Sequence, residues 1–468
     1  MLSGGRGHRL YTVAVFVILA SLDNVAIGLV PPLFSPISQS LGVPEAAVSL
    51  AVGATYIVSA VAAVAWAYFG DRTNRKPLLM LGTTIWAAGT LATPFAPNYA
   101  LFLAAQVLGA AGLGAVASVG FSVVSDLISP RRRGLVMSLW GVSQGVGTLA
   151  GTLLGGLLGS NHWHRPFYVL SAVGLAATLG YLFTVNIRRG ESEPELASVF
   201  AAGADYDYRI SRRDLPRILR RRTNVWLILQ GFTAQIVFGS LVFLPRLFQA
   251  KAEAIGYSQA TAIDIGSVYA TLFQLGAVFS IVGGLVGDRL QRRNPRGRAL
   301  VASVGILAAI PFYMVLFFVP INLDVPDRAG TGELVVGVLT SLVTEPAVAV
   351  SFLTALLALA LTSANSPNWF ALIAEVNPPE HRGTVFSLGN LVNGVGRAAG
   401  TGIANATFGA LQRALPPPLN LAVGLAVCQL FFVPTGVMYW LASRSSPRDI
   451  QDVRDTLAER AASKTSPI

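Results

Sequence analysis

Charged residues are scarce in this sequence. Asp, Glu, Lys and Arg make up 12% of the 468 residues, about half the share found in a soluble globular protein. Hydrophobic residues account for 53% of the chain, and the mean hydropathy is +0.59. Because too few polar side chains are present to cover a water-soluble body of this size, the composition indicates an integral membrane protein.

Cysteine is almost absent, and catalytic motifs are missing. The single cysteine, Cys428, lies in an apolar run, so no intrachain disulfide can form. The sequence contains no GxxxxGK[ST] phosphate loop and no HExxH motif, and His162 and His164 flank Trp163 without acidic neighbours. We therefore expect no enzyme, no cofactor and no metal site, and any driving force must come from an ion gradient or the substrate's own gradient.

Apolar runs of twenty residues or more recur along the chain, the length that crosses about 30 Å of hydrocarbon. They predict an all-α membrane protein with twelve transmembrane helices. The first run continues through Asp23 to Phe34, so we interpret it as a retained helix and not a signal peptide. The predicted spans are 10–33, 46–69, 77–95, 99–125, 134–160, 166–187, 223–245, 257–286, 299–320, 346–374, 384–412 and 419–443.

Positive charge is concentrated in alternate loops. The net charge is +11, and the bases cluster in DRTNRK, SPRRRG, the 188–222 segment, DRLQRRNPRGR, PPEHRG and SRSSPRD. This asymmetry follows the positive-inside rule and places both termini in the cytoplasm. It accounts for the charge without a nucleic-acid partner. We expect a monomeric multi-pass protein embedded in the lipid bilayer of a bacterial cytoplasmic membrane.

Two stretches of the first half recur in the second. GDRTNRK (70–76) returns 217 positions later as GDRLQRR, and SPRRRGLVMSLWGVSQGVG (129–147) returns 249 positions later as PPEHRGTVFSLGNLVNGVG. The chain is therefore predicted to comprise a six-helix bundle (1–187), a linker (188–222), a second six-helix bundle (223–445) and a tail (446–468). The additional residues of the second half are expected on the outer side near 320–346, as an interfacial or lid-like helix or as an ordered loop.

The repeated motif resembles the signature G-x-L-a-D-R-x-G-R-K of the major facilitator superfamily. The resemblance covers nearly the whole chain and implies two pseudo-symmetric halves that work by alternating access. It also implies charge clusters that latch the cytoplasmic side in one conformation; the alternative is that these bases only fix the topology. The implied latch residues are Asp71, Arg72 and Arg75 with Asp126, then Asp288, Arg289 and Arg292 with Glu375, joined by Arg133 and Arg382.

Within that superfamily, the first half is most similar to the Spinster-type lipid transporters. The similar stretches are ASLDNVAIGLVPPL, YFGDRTNRK and SDLISPRRRGLVMSLWGVSQGVG. The similarity implies an amphipathic, anionic substrate such as a lysophospholipid. Where that family usually has an arginine and a glutamate in the fourth helix, this chain has Gln106 and Leu113. A charge pair that would help proton coupling is therefore absent.

Two charged residues fall near the middle of predicted spans. An ionised Asp23 in mid-span costs roughly 2.5–3.5 kcal/mol, so it needs a partner, a cavity or protonation. It is either a protonation or substrate-contact site, or a structural carboxylate bonded to Asn24 or a neighbouring helix. Arg397 shares a helical face with Asn390 and Asn393, which suits an anionic headgroup. Its alternative role is a salt bridge to Asp23 or another acid.

Further polar and aromatic residues within the spans are expected to line a central cavity or to bond neighbouring helices. They are Tyr56, Trp140, Gln144, Gln235, Gln274 and Asn365. The sequence thus predicts a secondary transporter for an amphipathic anionic substrate, coupled to protons. Two alternatives stay open: a proton-driven multidrug or small-metabolite antiporter, and a membrane sensor or scaffold that does not transport.

Overall fold

The computed structural model is helical throughout its regular structure. It describes residues 6–30, 33–70, 72–127, 142–143, 145–152, 154–155, 158, 162–184, 194–201, 214–321, 326 and 331–465. Among these residues there is no strand, which confirms the predicted all-α fold class. We number the α-helices continuously in chain order.

The first half and the linker contain nine numbered helices. They are α1 (Arg6–Leu29), α2 (Phe34–Leu41), α3 (Glu45–Gly70), α4 (Arg75–Ala92), α5 (Tyr99–Ala115), α6 (Phe121–Leu127), α7 (Arg165–Tyr181), α8 (Ala197–Ala201) and α9 (Asp214–Arg220). The second half contains eleven. They are α10 (Arg222–Ser240), α11 (Leu244–Ala254), α12 (Gln259–Phe273), α13 (Ser280–Arg293), α14 (Gly297–Phe318), α15 (Thr331–Thr344), α16 (Pro346–Ser363), α17 (Asn365–Glu375), α18 (Pro379–Leu411), α19 (Leu419–Gln429) and α20 (Phe432–Thr465).

Eleven predicted spans coincide with helices. Within the described ranges, nine helical stretches are long and apolar enough to cross a membrane. Helix α7 has 17 residues, and α18 has 33 but carries asparagines, glycines and Arg397, which lower its hydropathy. The remaining span, 134–160, lies mostly outside the described residues, although those described between 142 and 158 are helical. A total of twelve spans stays a prediction.

One helix is interrupted at the equivalent position of each half. In the first half, a π-helical segment (Val116–Gly120) separates α5 from α6. In the second half, α16 ends at Ser363 and α17 begins at Asn365. Pro367 explains the second break, because it lacks the N–H that would bond to the carbonyl of Ser363. The 249-position offset that relates Asp126 to Glu375 also relates Val116 to Asn365, so the repeat extends to these local irregularities.

Two pairs of small residues bring the halves into contact. A methyl group added at Gly394 of α18 would lie 2.9 Å from the Cβ of Ala60 in α3. One added at Gly145 would lie 2.7 Å from the Cβ of Ala277. The two sequence offsets relate Gly145 to Gly394 and Ala60 to Ala277. The halves therefore touch at two contacts that repeat each other, and both need small residues for close helix approach.

Two segments outside the predicted spans are helical. In the predicted outer insertion, α15 exposes Val336 and Val343 and buries Val338. The segment predicted as a tail continues α20 as far as Thr465, with Leu457 buried. It is held by an ion pair of 2.6 Å between Arg460 Nη1 and the carboxylate of Glu380 at the start of α18.

Candidate functional site

A cavity of about 350 Å³ lies between the two halves. Helices α1, α3 and α5 of the first half form one wall, and α10, α16, α17 and α18 of the second half form the other. The volume falls in the range of small-molecule sites. Seven of the eleven predicted substrate or coupling residues line this cavity, namely Asn24, Tyr56, Gln235, Asn365, Asn390, Asn393 and Arg397.

The other four predicted residues do not join the described lining. Trp140 and Gln144 lie outside the described residues, and so does the side chain of Asp23, whose backbone belongs to α1. Gln274 begins a 3₁₀ segment (Gln274–Phe279) and is not part of the lining. Because a 3₁₀ helix has three residues per turn, the face extrapolated from a regular α-helix does not hold there. Of the two roles expected for Gln274, bonding to a neighbouring helix therefore stays a prediction.

Arg397 is the cationic group of the cavity. Its guanidinium lies 5.2 Å from the ring centroid of Tyr56, so α18 of the second half meets α3 of the first. Among the described side chains no acid pairs with Arg397, and its buried Nε has no hydrogen-bond partner. Since a buried guanidinium N–H without an acceptor is unfavourable, this group is arranged to bind a polar ligand atom or water.

Three amide oxygens of the cavity lining are also buried without a hydrogen-bond partner among the described residues. In the described part of the chain, Asn393 Oδ1, Gln235 Oε1 and Gln230 Oε1 are buried and have no hydrogen-bond donor. Each such atom costs about 1–3 kcal/mol unless a partner arrives. Gln230 and Gln235 lie on α10 and Asn393 lies on α18, so these oxygens come from two helices of the cavity wall. The cavity therefore offers acceptors as well as the Arg397 donor.

Asn365 is oriented by a hydrogen bond from Tyr439, a residue that the sequence analysis did not identify. Tyr439 of α20 is fully buried, and its hydroxyl donates to Asn365 Oδ1. Because its oxygen accepts this bond, the amide NH2 of Asn365 can donate to a ligand in the cavity. Asn365 also begins α17 directly after the helix break. In membrane transporters, such interruptions at cavity level often accompany binding sites.

Three aromatic rings form the floor of the cavity. Trp369, Phe370 and Phe386 lie with ring centroids 5.2–5.5 Å apart, and the Trp369 indole donates to the Leu227 carbonyl at 3.0 Å. Phe386 is one helical turn from Arg382, so the rings separate the cavity from the predicted latches. We call the side on which the latches lie the basic side. Sequence reasoning missed this floor because aromatic residues are common in apolar spans.

The first latch joins the two halves. Asp126 Oδ2 accepts from Arg75 Nη1 at 2.8 Å, and its Oδ1 accepts from Arg382 Nη1 at 3.1 Å. Arg75 belongs to the first half and Arg382 to the second, and all three side chains are buried. Since a buried carboxylate must be paired, this cluster holds the halves together on the basic side. Arg72 instead stacks on the Tyr68 ring at 3.8 Å.

The second latch uses a different arginine from the predicted ones. Arg298 Nη1 lies 2.6 Å from Asp288 Oδ1, and its Nε lies 3.0 Å from Glu375 Oε1. Arg289 and Arg292 are exposed, and in this structure it is Arg298 that pairs with both acids. Helix α13 runs on to Arg293, and the next helix begins five residues later than the ungapped repeat implies. The Gly-Arg pair that begins α14 was the signal that could have identified Arg298.

Two predicted latch residues, Asp71 and Arg133, lie outside the described residues, and their roles stay predictions. The first latch, which joins the halves, and the aromatic floor close the cavity toward the basic side in this structure. No cluster of three or more His, Cys, Asp or Glu side chains suited to a metal occurs in the part of the chain that the structure describes.

A family model described as the Major Facilitator Superfamily matches residues 16–401. Protein spinster homolog 3 of Danio rerio is 24% identical over 53% of this chain and 51% of its own length. The sphingosine-1-phosphate transporter SPNS2 of the same organism is 26% identical over 55% of this chain and 53% of its own. Protein spinster homolog 1 of Rattus norvegicus is 26% identical over 66% of this chain and 60% of its own length. The matches thus span about half to three fifths of these relatives.

Solved structures share the fold. The human organic anion transporter MFSD10 has a TM-score of 0.64 at 17% identity, covering 93% of this chain and 99% of that one. A bacterial homolog of the human lysosomal transporter Spinster, inward-facing and unoccupied, has a TM-score of 0.59 at 18% identity over 95% and 99%. The proton:xylose symporter XylE has a TM-score of 0.66 at 12% identity, covering 93% of this chain and 95% of that one. At these identities the likeness concerns the fold alone, which agrees with the predicted two-half architecture.

Proposed function

This chain belongs to the Major Facilitator Superfamily, and we propose that it is a secondary transporter for an amphipathic, anionic, lipid-like substrate of the lysophospholipid class. The cavity between the halves is the proposed site, and alternating access is the proposed mechanism. We place the basic side in the cytoplasm of a bacterial cell, with both termini there, and we propose that a single copy of the chain suffices.

The observation that carries the substrate class is the buried Nε of Arg397, which has no acceptor among the described residues. A phosphate oxygen is a strong acceptor for a guanidinium, and such charge-assisted bonds are short and about twice as strong as neutral ones. The Asn365 amide NH2 adds a second donor. The unpartnered oxygens of Asn393 and Gln235 suit hydroxyl groups of a headgroup.

The remaining walls favour a substrate with an apolar part. Ile27, Leu113, Phe238 and Leu359 line the cavity along with the aromatic floor. Apolar surface of this extent would be poorly matched by a sugar or an amino acid, and it stabilises an alkyl chain by roughly 0.8 kcal/mol per buried CH2. Similarity to a sphingosine-1-phosphate transporter supports the same class, although it covers only part of that relative.

The latches supply the two-state element that alternating access needs. The Asp126–Arg382 pair joins opposite halves, so it exists only while the basic side is closed. Opening that side breaks the pair and separates Phe386 from the facing helices. The Arg298 cluster lies wholly in the second half and moves as one body. A substrate that bridges Arg397 and Tyr56 stabilises whichever state brings α18 and α3 together.

Protons are the proposed coupling ion, and Asp23 is the proposed coupling residue. Its sequence neighbour Asn24 lines the cavity, on the same helix α1. A carboxyl group in a span is costly when ionised, so binding a proton removes that cost. One proton that enters down about 100 mV supplies roughly 2.3 kcal/mol.

The test compares transport of a lysophospholipid with that of an uncharged monoacylglycerol of the same chain length in proteoliposomes. We expect Arg397→Gln to lower kcat/KM for the anionic substrate about tenfold or more, as the loss of a charge-assisted bond requires. Arg397→Lys, which keeps the charge but not the fork of donors, should fall between. An unchanged preference for the anionic lipid in Arg397→Gln would contradict the assignment.

Two other functions would show themselves in the same assay. Proton-driven efflux of unrelated organic cations without lipid flux would identify a multidrug or small-metabolite antiporter. Ligand binding without any flux would identify a sensor or scaffold. The polar groups directed into the cavity and the interhalf latch favour transport over both.

A further inference from the structure

Six exposed arginines on the basic side take no part in the latches. They are Arg289, Arg292 and Arg293 of α13, Arg296 in the loop that follows, and Arg444 and Arg448 of α20. The acids nearest to them along the chain are engaged elsewhere. Asp288 pairs with Arg298, and Asp449 accepts from the backbone N–H of Thr223 at 3.0 Å. These six arginines, which we call the arginine surface, thus need another explanation.

The arginine surface continues the lipid-facing side of α20. Val433, Val437 and Trp440 are exposed on one face of this helix, at spacings of four and three residues. Arg444 follows on the same face, with its guanidinium 3.7 Å from the Trp440 ring centroid. Tryptophan prefers the headgroup level of a bilayer, so Arg444 lies where phospholipid headgroups begin.

Helix α13 has the same arrangement. Val282, Val286 and Leu290 are exposed at spacings of four residues, and Arg293 follows three residues later. Arg289 and Arg292 are exposed on the same last turns of the helix. Two neighbouring apolar faces therefore both end in arginines at the membrane boundary.

A direct contact makes these two ends one surface. Ser446 Oγ, between Arg444 and Arg448, donates to the carbonyl of Pro295 at 3.1 Å, next to Arg296. The first exposed acid farther along α20 is Asp452, beyond Arg448. The surface is thus strongly cationic where it meets the bilayer.

We propose that the arginine surface binds the phosphate headgroups of anionic phospholipids in the leaflet on the basic side. Guanidinium groups bind phosphate oxygens bidentately. Clusters of four to eight bases directly beside a membrane helix attract anionic lipids. Topology alone requires only positive charge in the loop. It does not require two lipid-facing helix ends to converge through Ser446 and Pro295.

The test measures lipid binding and not transport, so its result is independent of the substrate proposal. The full-length protein is purified in a neutral detergent, and phosphatidylglycerol or phosphatidylcholine with the same acyl chains is added. Bound lipid is counted by native mass spectrometry, and thermal stability is followed in parallel. We expect phosphatidylglycerol to bind the wild type at least about tenfold more tightly than phosphatidylcholine, with a preference that weakens as salt rises.

Two triple variants locate the effect. R289Q/R292Q/R293Q and R296Q/R444Q/R448Q should each lose most of the preference for phosphatidylglycerol. The matched control is R165Q/R246Q/R413Q, which removes three exposed arginines of the opposite side and should keep it.

Three outcomes would overturn the proposal. The first is an equal loss in the control and the surface variants, which would reflect net charge alone. The second is an undiminished preference in both surface variants. The third is that inorganic phosphate protects the wild type as well as phosphatidylglycerol does, which would indicate a free-anion site. If one triple variant does not fold, the other still decides between these results.

Discussion

Replacing Asp126 by asparagine should open the basic side of the bundle. The carboxylate binds Arg75 of its own half and Arg382 of the other half. An asparagine keeps one acceptor oxygen, which can serve Arg75 nearby. Its NH2 group would then face the Arg382 guanidinium, where a donor meets a donor. The substitution therefore removes the bond between the halves and largely spares the bond within the first half.

The expected magnitude follows from that one bond. A hydrogen bond to a charged group contributes about 1.5–3 kcal/mol. Because the Arg382 arm exists only while the basic side is closed, its loss weakens the closed state by about that amount. This corresponds to a rise of about 10- to 150-fold in the ratio of open to closed molecules.

Spin labels on the basic side can measure this ratio. Thr73 and Asn294 are exposed and lie on opposite halves, and the native Cys428 is buried, so labels at two introduced cysteines report one distance. Asp126→Asn should add a population at longer distance. Arg72→Gln, which removes a charge that stacks on Tyr68 of its own half, should not. An unchanged distance distribution in Asp126→Asn, or an equal shift in Arg72→Gln, would refute the reasoning.

Three further predictions concern packing, positioning and pH. Gly394→Ala should lower the thermal midpoint, since overpacking costs roughly 1–3 kcal/mol and the new methyl group meets Ala60 at 2.9 Å, whereas Gly402→Ala points into open space and should not. Tyr439→Phe frees the Asn365 amide and should raise KM about fivefold at unchanged kcat, as transport assays would measure. Burial, with the nearby His162, lowers the pKa of His164. The folded state then takes up this proton less readily, so thermal stability should fall as pH drops below about 6.5, and less so in His164→Gln.

The fold could be predicted from the sequence because the bilayer restricts the possibilities. A span must be helical to satisfy its backbone, and its length is set by the hydrocarbon thickness. Much of the polar cavity lining could also be predicted from the sequence, because Asn390, Asn393 and Arg397 lie at helical spacing in an otherwise apolar run. That pattern holds wherever the helix is regular.

The structure differs from the sequence-based expectations where regular helix geometry ends. Gln274 starts a 3₁₀ segment, so its direction could not be read from α-helical spacing. The ungapped repeat matched Arg75 to Arg292, whereas the longer α13 displaces the equivalent arginine to Arg298. The pairing of Asp126 with Arg382 joins opposite halves, and a motif matched within each half does not reveal such a contact.

The most direct test of the account is the flux of a labelled lysophospholipid into proteoliposomes, with and without an imposed proton gradient, for the wild type and Asp23→Asn. We expect flux that the gradient stimulates and that Asp23→Asn makes insensitive to it. Lipid flux that changes with neither the gradient nor the substitution would indicate facilitated diffusion, and Asp23 would then have no part in coupling. The absence of lipid flux from the wild type in both conditions would contradict the central claim.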